Sequence, residues 1–141
     1  MPSTPIYAMT NGGVVSLTEC LYAQLRMEQA PIGVSVLFPG PHMLRTGLFE
    51  SWRHRPAALA NATPRKTPPT TTASFEQRMR DAGIDLVYTP VEEVAARVVD
   101  AIRADQFWIL PPSQRTDDKI RARADSMLER TNPTYLQDVT G

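Results

Sequence analysis

The chain has 141 residues, 42% hydrophobic and 21% charged, and no run of about 18 apolar residues that would make a membrane-spanning helix. Lys plus Arg equals Asp plus Glu, 15 each, so no net charge draws it toward nucleic acid, a membrane surface or another polyanion. A single cysteine, Cys20, excludes an internal disulfide framework, and Met1-Pro-Ser-Thr-Pro-Ile6 has neither the basic region nor the apolar stretch of a signal peptide. The expectation is a cytoplasmic protein with no metal, membrane or nucleic-acid partner, its length leaving room for one domain.

In chain order, the first element is a helix from about Tyr7 to Glu28. Val14, Leu17, Leu21 and Leu25 recur at helical spacing, and Val15, Thr18 and Tyr22 form a neighbouring row. Asn11-Gly12 is also a hairpin signal, but the apolar pattern after Gly13 runs too long for a strand. Gly12 and Gly13 each cost about 1 kcal/mol in a helix relative to alanine, which implies close packing against another element. Cys20 on this helix reads as a small buried hydrophobe.

Ile32 to Phe38 is nearly continuously apolar and stops at Pro39-Gly40-Pro41, as a strand covered on both faces would. Residues 46–72 lose the pattern: Pro56, Pro64, Pro68 and Pro69 with Thr70 to Thr72 read as a loop, with room for a short helix over Gly47 to Arg55. Ser74 is placed to cap a helix that runs to about Ala82 and stops at Gly83. Thr89-Pro90-Val91-Glu92-Glu93 is a helix start, with Val91, Val94, Ala95, Val98 and Ile102 on the buried face. Phe107 to Leu110 reads as a second strand and Asp117 to Glu129 as a final helix, whose neighbouring Arg121, Arg123 and Arg130 form a solvated face. The fold class is α/β, about two strands with three to five helices.

The order of these features resembles the C-terminal half of a short-chain dehydrogenase/reductase, a Rossmann-like doubly wound parallel sheet. In that family a Tyr-x-x-x-Lys pair opens a long helix, followed by a buried strand ending in Pro-Gly and a nearby threonine. Here Tyr7 opens the helix, Ala23-Gln24-Leu25 lies within it, Pro39-Gly40 ends the strand and Thr46 follows. The helix at Pro90 and the strand Phe107 to Leu110 match the family's last helix-strand unit. The resemblance divides the 141 residues into a tyrosine helix and strand (1–45), a substrate-loop-like region (46–73), the C-terminal helices and last strand (74–131) and a tail (132–141).

What the resemblance implies is NAD- or NADP-dependent oxidoreduction of an alcohol or carbonyl. Tyr7 would be the catalytic residue, and Asn11, Pro39, Gly40 and Thr46 would lie at the cofactor. Met43, Leu44, Leu48, Phe49 and Trp52 would either line a substrate pocket or cover the core. Several family residues differ or are absent. Asn11 stands at the lysine position, only six residues precede Tyr7 where the family's serine lies about a dozen back, and Ser3 is too close to replace it. No glycine-rich phosphate turn occurs in these residues. A phenol with a pKa near ~10 needs a neighbouring cation to act as a base, and Asn11 supplies none. The expectation is therefore a truncated, inactive dehydrogenase-like chain. The alternative is a non-catalytic fragment that forms a homo-oligomer or pairs with a full-length homologue. Neither His42 nor His54 is spaced with Cys20 or with carboxylates as metal ligands would be.

Overall fold

Two short strands pair in parallel at the centre of the chain's mixed α/β structure, Val36 opposite Trp108 and Leu37 opposite Ile109. The computed structural model describes residues 5–63 and 66–136. Met1 to Thr4, Pro64 and the end of the expected tail, 137–141, lie outside the described residues. The elements in order are α1 (Pro5–Met27), β1 (Val36–Leu37), α2 (Thr72–Asp81), α3 (Val91–Arg103), β2 (Trp108–Ile109) and α4 (Gln114–Glu129). Two 3₁₀ turns, Ser51–His54 and Ala57–Leu59, occupy the proline-rich stretch where a short helix was allowed. The chain divides into two units, Met1–Pro41 with Ala95–Gly141, and His42–Val94.

Unit 1 holds the sheet. The Val36 amide donates to the Phe107 carbonyl at 2.8 Å and the Phe38 amide to the Ile109 carbonyl at 2.9 Å. Ile109, at 2% exposure, is the most enclosed apolar residue, and Val36 and Ala101 are also buried. Among the described residues no third strand pairs with either edge of this sheet. Both strands, Val36–Leu37 and Trp108–Ile109, are shorter than their apolar runs.

The first helix forms as expected, with Asn11-Gly12 inside continuous helix, but which of its residues are covered differs from expectation. Val15, Thr18, Tyr22 and Leu25 are the half-buried row, whereas Val14, Leu17 and Leu21 are exposed, Leu17 at 71%. A Cβ built on Gly12 or Gly13 would meet no heavy atom within 4 Å, so the glycines do not serve a close approach among the described residues. Cys20 is exposed rather than buried, because it too faces away from the Tyr22 row. That row is anchored at its C-terminal end: Tyr22 meets Phe107 edge-on at 4.9 Å, and Arg26 pairs with Asp105 at 3.0 Å.

The later helices begin where a side chain can satisfy their free amides. Thr71, not Ser74, caps α2; its side chain accepts from the Ser74 amide, and the Ser74 hydroxyl accepts from the Thr71 amide in return. Gly83 ends the helix with φ at 71°, a left-handed conformation that costs glycine little. Ser113 caps α4, whose first residue, Gln114, lies three before the expected start at Asp117. On α3 the covered residues are Val94 and Ala101, with Val98 half-buried; Val91, Ala95 and Ile102 are exposed instead of buried. The charged run carrying Arg121 is solvated, with Arg121 paired to Asp118 at 3.3 Å.

Burial therefore predicts where mutations are felt. Ile109→Ala removes packing from an enclosed site and should cost about 2–5 kcal/mol in urea unfolding followed by circular dichroism. Leu17→Ala, on the exposed side of α1, should stay within about 0.5 kcal/mol of the parent chain.

Candidate functional site

Four of the five residues singled out by the resemblance belong to unit 1, and Thr46 belongs to unit 2. Tyr7 stands in the first turn of α1 with 58% of its surface exposed. Its carbonyl accepts from the Asn11 side-chain amide at 2.8 Å and from the Thr10 hydroxyl at 3.0 Å. Asn11 thus bonds back to its own helix, as short polar side chains do one turn along. The only cation on α1 is Arg26, 19 positions from Tyr7 and, at 1.5 Å per residue, about 28 Å along the axis. Arg26 is engaged with Tyr22 and Asp105, and these partners hold its guanidinium pKa above the ordinary arginine value.

Pro39 and Gly40 follow β1 as expected. Gly40 has φ at 124°, and an added Cβ would come within 3.0 Å of the Pro111 side chain. Both its conformation and its proximity to Pro111 require glycine, so this turn is explained by backbone geometry alone. Thr46 is exposed, its amide donating to the Leu44 carbonyl at 3.0 Å.

Unit 2 brings Arg45, Glu76, Arg80 and Tyr88 together, side chains that no motif in the sequence marks. Glu76, on α2, accepts from the Tyr88 hydroxyl at 2.7 Å and pairs with Arg45 at 3.2 Å and with Arg80 at 3.9 Å. The Arg45 guanidinium also lies over the Tyr88 ring, 4.4 Å from its centroid. The backbone supports this arrangement: the Met43 amide donates to the Val87 carbonyl and the Thr89 amide to the Met43 carbonyl, bringing the segment after β1 beside Tyr88. These side chains, with Ile84, Asp85 and Leu86, line an open hollow of about 260 Å³. Residues 43, 76 and 88 are far apart in sequence and share no local motif. The only sequence signal near them is the helix start at Thr89-Pro90.

The cluster's charges answer one another. The hydrogen bond to Glu76 comes first in raising the Tyr88 pKa above the usual tyrosine range, with desolvation and the Glu76 charge adding to it. Arg45 and Arg80 oppose the shift without reversing it. Glu50 forms a second tie in the same unit, accepting from the Thr72 amide at 2.9 Å and from the Thr72 hydroxyl at 3.0 Å. The backbone bond to Thr72 is the main reason its carboxyl lies below the ordinary range.

The loop side chains proposed for a pocket or a core cover divide between roles. Phe49 stacks on Phe75 at 4.7 Å, and Met43 and Leu44 are half-buried. Leu48 is exposed, and Trp52 lines a second hollow of about 240 Å³ with Arg55, Pro56, Ala57, Ala60 and Asn61. None of Tyr7, Asn11, Pro39, Gly40 or Thr46 lines either hollow. Among the described residues no group of three or more His, Cys, Asp or Glu could hold a metal ion, and no helix is long and apolar enough to cross a membrane.

Compared with models of known families, with curated proteins and with solved structures, the chain matches none. The dehydrogenase resemblance therefore stands on the residues quoted above.

The Tyr88 geometry has a measurable consequence. A phenol whose pKa is raised stabilises the folded form below the usual tyrosine pKa, and that contribution is lost as pH rises through the raised value. Residue-resolved NMR titration should find Tyr88 ionising above the ordinary tyrosine range. In Glu76→Ala, which removes both the acceptor and the charge, the value should fall back toward it. An unchanged midpoint would contradict the assigned cause.

Proposed function

We propose that these residues form a catalytically silent, short-chain-dehydrogenase-like unit that works by docking the apolar side of α1 onto a full-length homologue of that family. The observation that carries the reading is the apolar side of α1, where Ile6, Val14, Leu17 and Leu21 face solvent in one 23-residue helix with no buried residue. A helix of this composition keeps an uncovered apolar stripe only at the cost of exposing it to water, and such patches mark association surfaces. The sheet supports the same reading, since a two-stranded parallel sheet is marginal alone and its edges offer unpaired backbone groups to another strand.

The residues present do not fit a nicotinamide dinucleotide. The Asn11 amide is committed to the Tyr7 carbonyl, and no cation stands near Tyr7 on α1 to favour its phenolate. The Gly40 conformation needs no ligand to explain it, and residues 1–141 contain no glycine-rich strand-to-helix turn to cradle a pyrophosphate. Hydride chemistry is therefore not assigned to these residues.

Two experiments test the reading separately. Incubated with NADH or NADPH and a panel of carbonyl compounds, the chain should oxidise no nucleotide above the buffer blank; turnover that disappears in Tyr7→Phe would overturn the catalytic silence. Mixed at micromolar concentration with a full-length short-chain dehydrogenase, the chain should co-elute on size exclusion, and Leu17→Glu should abolish co-elution. Separate elution of the parent chain would remove the docking proposal.

A further inference from the structure

The ten residues of α2 bury no side chain, and a helix this short does not persist in water on its own propensity. Three ties hold it within unit 2. One is apolar, the stack of Phe75 on Phe49. The other two are carboxylate bonds of opposite sense. Glu50, from the segment before the 3₁₀ turns, reaches the first residue of the helix and accepts from both the amide and the hydroxyl of Thr72. Glu76, on the helix itself, reaches outward to Tyr88 and Arg45.

We propose that α2 is a charge-latched strap, held against unit 2 by the Glu50 and Glu76 carboxylates and released as one melting segment when those ties are lost. The first latch acts where the helix dipole is most positive, so a carboxylate there is favoured over a neutral acid. The second acts through the Tyr88 hydroxyl, which donates to the Glu76 carboxylate at 2.7 Å, and the Arg45 guanidinium, paired with it at 3.2 Å. With both ties lost, the Phe49–Phe75 stack and the Thr71–Ser74 capping box remain against the conformational entropy of ten ordered residues. Release would also open the hollow between Arg45, Arg80 and Tyr88, since Glu76 forms part of its wall.

The charged and titratable groups around the latches are few. Glu50 faces Thr72 on α2 and feels the Arg53 charge from the Ser51–His54 turn. Glu76 faces Arg45 from the segment after β1, Tyr88 from the segment before α3 and Arg80 on its own helix, and Asp85 lines the same hollow. Because the Glu50 carboxyl lies below the ordinary range, its contribution is fully present above the ordinary carboxylate pKa and is lost as pH falls through the lower, folded value.

Amide hydrogen exchange on the full chain tests the strap independently of any docking. Exchange at residues 72–82 is compared with that at β1 and β2, each corrected for the pH dependence of unprotected amides. Glu50→Gln and Glu76→Gln should each lower protection over 72–82 about fivefold at neutral pH, the effect of replacing a charge-assisted hydrogen bond with a neutral one, and the double variant by more. Protection at Val36 and Ile109 should not change. The unmutated chain, acidified below the carboxylate range, should lose protection over 72–82 before the strands do. The proposal is overturned if α2 shows no protection at neutral pH, if both variants leave it unchanged, or if acid removes protection from α2 and the strands together.

Discussion

A parallel sheet is stable when both of its faces are covered, and in unit 1 that cover is diagonal. Residues paired across parallel strands stand on the same face, so Val36 shares a face with Trp108, and Leu37 shares the other with Ile109. Val36 and Ile109 are buried, while their partners Leu37 and Trp108 each remain more than two-fifths exposed. Each face is thus closed over one strand and open over the other. The aromatic edges Tyr22–Phe107 and Phe107–Trp108 extend the packing only a short way beyond the sheet.

The half-cover explains α1. Its C-terminal part is fixed by Tyr22 and Arg26, which reach Phe107 and Asp105 beside β2. Among the described residues nothing comparable holds the N-terminal part, where residues 5–14 are all exposed and Gly12 and Gly13 weaken the helix without gaining a close neighbour. An apolar helix with one end docked and the other free is the arrangement expected of a surface completed by association, and the proposed docking follows from it. Unit 2 follows a different principle, with polar ties from Glu50 and Glu76 carrying much of what an apolar core would otherwise do.

Much of the local structure was legible because it depends on neighbouring residues. Pro90 with Glu92 and Glu93 marked the start of α3, Gly83 marked the end of α2, and the spacing after Gly13 favoured helix over hairpin. Caps were misplaced by three residues where two candidates competed, as at Thr71 against Ser74, because both hydroxyls take part in the same reciprocal box. What could not be read was set by distant partners. Either apolar row of α1 could have faced inward, and the position of Phe107 selected the Tyr22 row, which left Cys20 and Leu17 outside. The Arg45, Glu76 and Tyr88 cluster joins three segments whose sequences carry no shared spacing. Of the candidate site, the Pro39-Gly40 turn after β1 appeared where the pattern placed it, with Pro111 as the structural reason for the glycine.

The central claim is that α1 is only half supported by its own chain. Amide hydrogen exchange along α1, measured on a sample shown by sedimentation to be monomeric, tests this most directly. The account predicts that amides from Met9 to Ser16 exchange at close to the rate of unstructured chain, while those of Tyr22 to Arg26, Val36 and Ile109 are protected. Protection of Met9 to Ser16 equal to that of the strands, in the monomer, would contradict it.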